Sequence, residues 1–124
     1  MSAAKRRILC AESHEDVRGL IALMLEQKGY EVSTAQTVAE ALRLATAERF
    51  DLYLLNDSYI DGDSFELCRR LRVLDPLTPV LLFSLDASGR YHDPALQTGA
   101  QYYVTKTSDF AALVQTIDTL LQAR

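Results

Sequence analysis

At 124 residues with 48% apolar content, the chain is long enough for one domain whose core is shared between a sheet and helices. Its 13 basic residues are scattered against 17 acidic ones for a net charge of −4, which disfavours nucleic acid as a direct partner. No apolar run approaches the roughly 20 residues that span a bilayer, and no apolar stretch follows the basic residues of Met1 to Arg7 to make a signal peptide; a single cytoplasmic domain over residues 1–124, with no membrane partner, is expected.

In chain order, Ile8 to Ala11 is a short apolar run that predicts a strand. Val17, Leu20, Ile21, Met24 and Leu25 follow at helical spacing, so all five are expected on a buried helix face. Gly29 is placed to end that helix in a left-handed conformation, and Tyr30 to Ala35 predicts the second strand. Thr37 and Glu40 stand at capping-box spacing before a helix burying Val38, Ala41, Leu42 and Ala45.

Leu52 to Leu55 is apolar on both faces, as in the middle of a parallel sheet covered on both sides. It ends at Asn56. An acidic loop containing Gly62 leads to Asp63, which is placed to cap a helix burying Phe65, Cys68 and Leu71, with Glu66 at the reciprocal position. Val80 to Phe83 predicts a fourth strand, Ala87 to Thr98 a short helix, and Tyr102 to Val104 a fifth strand after Gly99. Phe110, Leu113, Val114, Ile117, Leu120 and Leu121 mark the last helix, while Cys10 and Cys68 fall at core positions and read as small apolar residues.

Five strands alternating with five helices predict an α/β fold with a doubly wound parallel sheet, and the ligand site of such a sheet lies at the C-terminal strand ends where the strand order reverses. The residues there are Glu12 and Ser13, Asn56 to Ser58, Ser84 and Leu85, and Lys106. The loop after the first strand, Glu12-Ser13-His14-Glu15-Asp16, has no glycine and three acids, so it attracts a cation and repels a pyrophosphate. Nucleotide cofactors are disfavoured. A lone His14 or His92 reads as a loop residue, and Asp61 with Asp63 lacks the spacing of a calcium loop.

An acid after the first strand, a carboxylate-like side chain after the third, Ser84 after the fourth and Lys106 after the fifth resemble the receiver domain of bacterial response regulators. The stretch Gly99-Ala100-Gln101-Tyr102-Tyr103-Val104-Thr105-Lys106 is similar to that family's Gly-Ala segment, switch aromatic (here Tyr103) and lysine. The resemblance implies a flavodoxin-like (βα)5 three-layer sandwich with a five-stranded parallel sheet, acting in two-component or phosphorelay signalling and not as an enzyme.

In that family an acidic pair and an acceptor aspartate hold Mg²⁺, the aspartate takes a phosphoryl group, and lysine and Ser/Thr bind its oxygens. Here Glu12 matches the first acid, but Ser13 stands at the second and Asn56 at the acceptor, so three carboxylates become one. Glu12, Asn56 and the Ser58 backbone carbonyl are the ligands the resemblance leaves for Mg²⁺, and they imply weak binding at best, with no cofactor required. A carboxamide oxygen is a poor nucleophile, so Asn56 is not expected to be phosphorylated. Strand alternation points the adjacent Asp57 to the opposite face, and it could serve as acceptor only if the strand end were bulged or slipped. Leu85 and Thr107 depart from the small residue and the proline usual at their positions, which narrows access and alters the setting of Lys106.

Two readings follow, with a remote third. The chain is a pseudo-receiver working by protein contact, or a phosphoryl-accepting receiver using Asp57 or restored by an aspartate at 56; a flavodoxin-like cofactor binder is the third. The resemblance implies a sensor histidine kinase, phosphotransfer protein or output domain as partner, and a homodimer through the segment 87–98, the fifth strand and the last helix.

Overall fold

The computed structural model describes residues 5–84, 97–105 and 110–122. Strand β1 (Arg7–Ala11) leads to helix α1 (Glu15–Gln27), β2 (Glu31–Ala35) to α2 (Val38–Ala47), and β3 (Leu52–Leu55) to a two-stranded hairpin, β4 (Ser58–Tyr59) and β5 (Gly62–Asp63). Helix α3 (Ser64–Leu74), β6 (Val80–Ser84), β7 (Tyr102–Thr105) and α4 (Phe110–Gln122) complete the described elements. The main sheet has the order β2-β1-β3-β6-β7 with every pairing parallel, the doubly wound arrangement expected from the alternation of elements. All but two residues of the expected helix over Ala87 to Thr98 lie outside the described residues, as do Leu85, His92, Lys106 and Thr107.

Alternation along the strands builds two cores. Ile8, Cys10, Leu52, Leu54, Leu81 and Phe83 face α1 and α4, where Ile21, Leu25, Leu113 and Ile117 are fully or almost fully buried. Leu9, Ala11, Tyr53, Leu55, Val80 and Leu82 face α2 and α3. Both cysteines are buried and free, and burial, followed by the negative charge of Glu12, pushes the Cys10 thiol up to about 12, so it stays protonated as a core side chain.

The local signals act as expected with three differences. Gly29 closes α1 with φ 96°, where its N–H donates to the Glu26 carbonyl. Thr37 Oγ1 accepts from Glu40 N–H at 3.1 Å, but the Glu40 carboxylate accepts from the N–H of Gln36, one residue beyond the cap that the expected reciprocal bond would serve. Leu20 is 42% exposed rather than buried, because the face of α1 against the sheet is centred on Ile21 and Leu25, and Leu20 lies a quarter turn or more away. The acidic loop after β3 is ordered into the hairpin, with Tyr59 turned inward to 7% exposure.

Two side-chain clamps brace the sheet away from its site end. Arg72 of α3 donates to the carbonyls of Gly99, Asp75 and Thr78 and to Gln101 Oε1, while Gln101 Oε1 also accepts from Val80 N–H. On the other face the Tyr30 hydroxyl donates to Asp118 of α4.

Candidate functional site

Residues Ala11 and Leu55 are register partners, so the chain leaves β1 and β3 side by side at the point where the strand order reverses. Glu12 and Asn56 are the next residues and meet: Asn56 Nδ2 donates to Glu12 Oε2 at 2.7 Å. The same oxygen accepts the His14 backbone N–H at 2.9 Å, and Glu12 is only 2% exposed. A buried carboxylate needs such donors, and an amide turned to present Oδ1 would set two acceptors face to face without a proton between them. Arg18 adds its charge nearby by donating to the carbonyls of Glu12 at 2.9 Å and Ser13 at 3.4 Å.

The floor of the site is Tyr59. Its hydroxyl donates to the Ala11 carbonyl at 2.8 Å and accepts the Asn56 backbone N–H at 3.0 Å, so it bridges the ends of the two central strands. Burial pushes this hydroxyl well above the ordinary tyrosine range, so it remains a donor. Neither Tyr59 nor the His14 N–H was singled out by the sequence reasoning; an apolar-sized aromatic in an otherwise polar loop was the available signal for the first, and the second is a backbone group with none.

The hairpin is pinned at both sides of the site. Asp61 Oδ1 and Oδ2 accept the N–H groups of Val38 and Ala39 at 2.8 and 3.0 Å, bracing the start of α2, and these bonds hold the Asp61 carboxyl below the usual range. Asp63 accepts from Glu66 N–H at 2.9 Å as the expected cap of α3. Asp57 is half-buried with its carbonyl bonded to Ser64 N–H at 3.1 Å, and Ser58 is exposed in β4. Ser13 is half-buried; Ser84 is 1% exposed at the end of β6, beside Thr105 of β7. Tyr103 is half-buried against the α2/α3 core. Of the strand-end positions, Leu85 and Lys106 lie outside the described residues.

These residues do not fit Mg²⁺. A hard divalent ion asks for several oxygens, and here the single carboxylate already accepts two N–H donors on one oxygen while the neighbouring amide presents hydrogen rather than oxygen. Among the described residues no group of three His, Cys, Asp or Glu side chains converges.

Residues 8–118 match the family model for the response regulator receiver domain. Among curated proteins, the transcriptional regulatory protein PrrA of Mycobacterium tuberculosis is 33% identical over 95% of this chain and 51% of its own length. GlrR of Escherichia coli is 30% identical over 98% of this chain and 28% of its own. The chain thus spans about half or less of the length of these relatives. Among solved structures, a CheY-like receiver domain protein from Methanospirillum hungatei superposes with a TM-score of 0.89 at 27% identity, covering 97% of this chain and 96% of the other. The response regulator TrrA of Thermotoga maritima, solved with Mg²⁺ and BeF, superposes at 0.82 with 25% identity over 93% and 98% of the two chains. Family match, parallel strand order and the meeting of Glu12 with Asn56 agree: the chain belongs to the response regulator receiver domain family.

Proposed function

We propose that this receiver domain is a pseudo-receiver: a two-component signalling module that works through protein contact without carrying a phosphoryl group at Asn56. The observation that supports this reading is the 2.7 Å bond by which the Asn56 amide donates to Glu12. That bond gives the buried carboxylate a hydrogen-bond donor where a metal would otherwise balance it, and a carboxamide oxygen is a poor nucleophile toward a phosphorus centre. Arg18 on the adjoining carbonyls adds to the same neutralisation.

The partner belongs to the classes a receiver meets, a sensor histidine kinase, a phosphotransfer protein or an output domain, in the cytoplasm. The test is incubation with acetyl phosphate and Mg²⁺ followed by intact-mass measurement. No phosphoryl adduct is expected; a stable adduct would overturn the reading, and its loss in Asp57→Ala would assign the acceptor to Asp57.

A further inference from the structure

The Asn56 side chain is placed for a second chemistry, hydrolysis of its own amide. Glu12 Oε2 lies 2.7 Å from Nδ2, the nitrogen that would leave, and Glu12 Oε1 has no donor among the described residues. That carboxylate is 2% exposed, whereas Asn56 is half-buried, so water reaches it. An amide nitrogen donates because its lone pair is delocalised into the carbonyl. Once water has added to Cγ the pair is localised, and the same contact reverses to receive a proton from the carboxyl group. The contact that balances Glu12 without a metal therefore sets a proton shuttle against the C–N bond of the amide.

The usual route of asparagine loss is closed at this position. It requires the next backbone nitrogen, that of Asp57, to swing onto Asn56 Cγ. Here the Asn56 N–H is held by the Ala11 carbonyl at 3.2 Å and the Tyr59 hydroxyl at 3.0 Å, and the Asp57 carbonyl by Ser64 N–H at 3.1 Å, so the backbone is tied on both sides of the peptide that would have to turn. Attack by water needs no such movement.

We propose that Asn56 is a self-modification site, at which Glu12 catalyses hydrolysis of the side-chain amide and leaves an aspartate at position 56. Glu12 takes a proton from water as the water oxygen bonds to Cγ and the carbonyl pair moves onto Oδ1. The pair then returns, the Cγ–Nδ2 bond breaks, and Nδ2 departs as ammonia with the proton that Glu12 gives back. The new carboxyl group ionises, its proton ends on ammonia as ammonium, and water is the only reagent consumed. The product sets two carboxylates at the reversal point of the sheet, which supplies the metal ligand and the nucleophile that asparagine does not. The inference rests on the pseudo-receiver reading in one respect, that Asn56 takes no phosphoryl group before it is converted.

The test holds the freshly purified chain for several weeks at physiological temperature and neutral pH without a phosphoryl donor, and reads the peptide carrying position 56 by mass spectrometry at intervals. The folded chain should exchange the Asn56 amide for a carboxyl group about 100-fold faster than Glu12→Gln, the lower end of what a positioned acid–base group contributes. Its product should be aspartate alone, whereas the chain unfolded in urea, where backbone attack is open, should give mainly isoaspartate. A folded chain that does not convert, an equal rate in a Glu12→Gln variant with native circular dichroism, or isoaspartate from the folded chain would each overturn the proposal. Should Glu12→Gln fail to fold, the native chain decides alone, because backbone attack and water attack leave different isomers. Acetyl phosphate added to a separate fresh sample keeps the two readings apart: an adduct there overturns the pseudo-receiver and not the amide hydrolysis, and an unconverted amide does the reverse.

Discussion

The bond from Asn56 Nδ2 to Glu12 Oε2, at 2.7 Å in a site where Glu12 is 2% exposed, makes the effect of one substitution calculable in sign. Asn56→Asp would replace the donor with a second carboxylate, and two such groups at that separation cannot both stay ionised without a cation. Without such a cation the variant should therefore be less stable than the native protein. The loss at pH 7 should be about 1–3 kcal/mol by urea denaturation, the penalty of a buried polar group left without its donor. Mg²⁺ should recover most of it, and calorimetric titration should show affinity at least about ten-fold above the native chain, or 1.4 kcal/mol. Asp75 shows the opposite titration. Burial alone would raise its carboxyl, but hydrogen bonds from Thr78, Leu77 and Tyr53 outweigh that and hold it low. A depressed carboxyl stabilises the fold above its unfolded pKa and loses that contribution as pH falls through the folded one, from about pH 4 downward. Melting temperature should therefore drop steeply in that window, and Asp75→Asn should flatten the drop.

At the scale of elements, α3 works as the fastener of the sheet's lower end. Arg72 serves four acceptors on the turns that enter β6 and β7, and a Cβ on Gly99, which has φ 103°, would lie 2.8 Å from Arg72 Cγ. Arg72→Ala should cost about 2–3 kcal/mol in chemical denaturation by stranding those acceptors. Gly99→Ala should also destabilise, through the clash and the strained backbone together. Removing the Asp63 cap, Asp63→Ala, should cost about 1 kcal/mol. Elements of this kind were legible in the sequence where the cause is local: Gly29, Thr37 and Asp63 act within one turn of where they stand. The hairpin and the two hydrogen bonds that Asp61 accepts from the start of α2 were not, because their meaning depends on a helix more than twenty residues away in the chain. Leu20 was misplaced for a related reason, since periodicity marks an apolar arc and only the angle at which α1 meets the sheet decides where that arc ends.

For the whole molecule, the parallel order and the site's location followed from alternation of strand and helix, because a doubly wound sheet has one reversal point and Glu12 and Asn56 flank it. What alternation could not supply was the orientation of the Asn56 amide, which depends on which neighbours offer acceptors. Tyr59 was equally hidden, since only the folded hairpin brings its hydroxyl to the sheet. That hydroxyl carries a consequence for motion. The Asn56 N–H is shared between the Ala11 carbonyl at 3.2 Å and Tyr59 at 3.0 Å, so the ladder between the two central strands gains a rung built from a side chain just past the point where β3 ends. Strand ends ordinarily fray, and their amide hydrogens escape to solvent through small local openings. Here escape would require the hairpin to lift as well, so deuterium should enter the Asn56 amide nearly as slowly as those of Leu54 and Leu55.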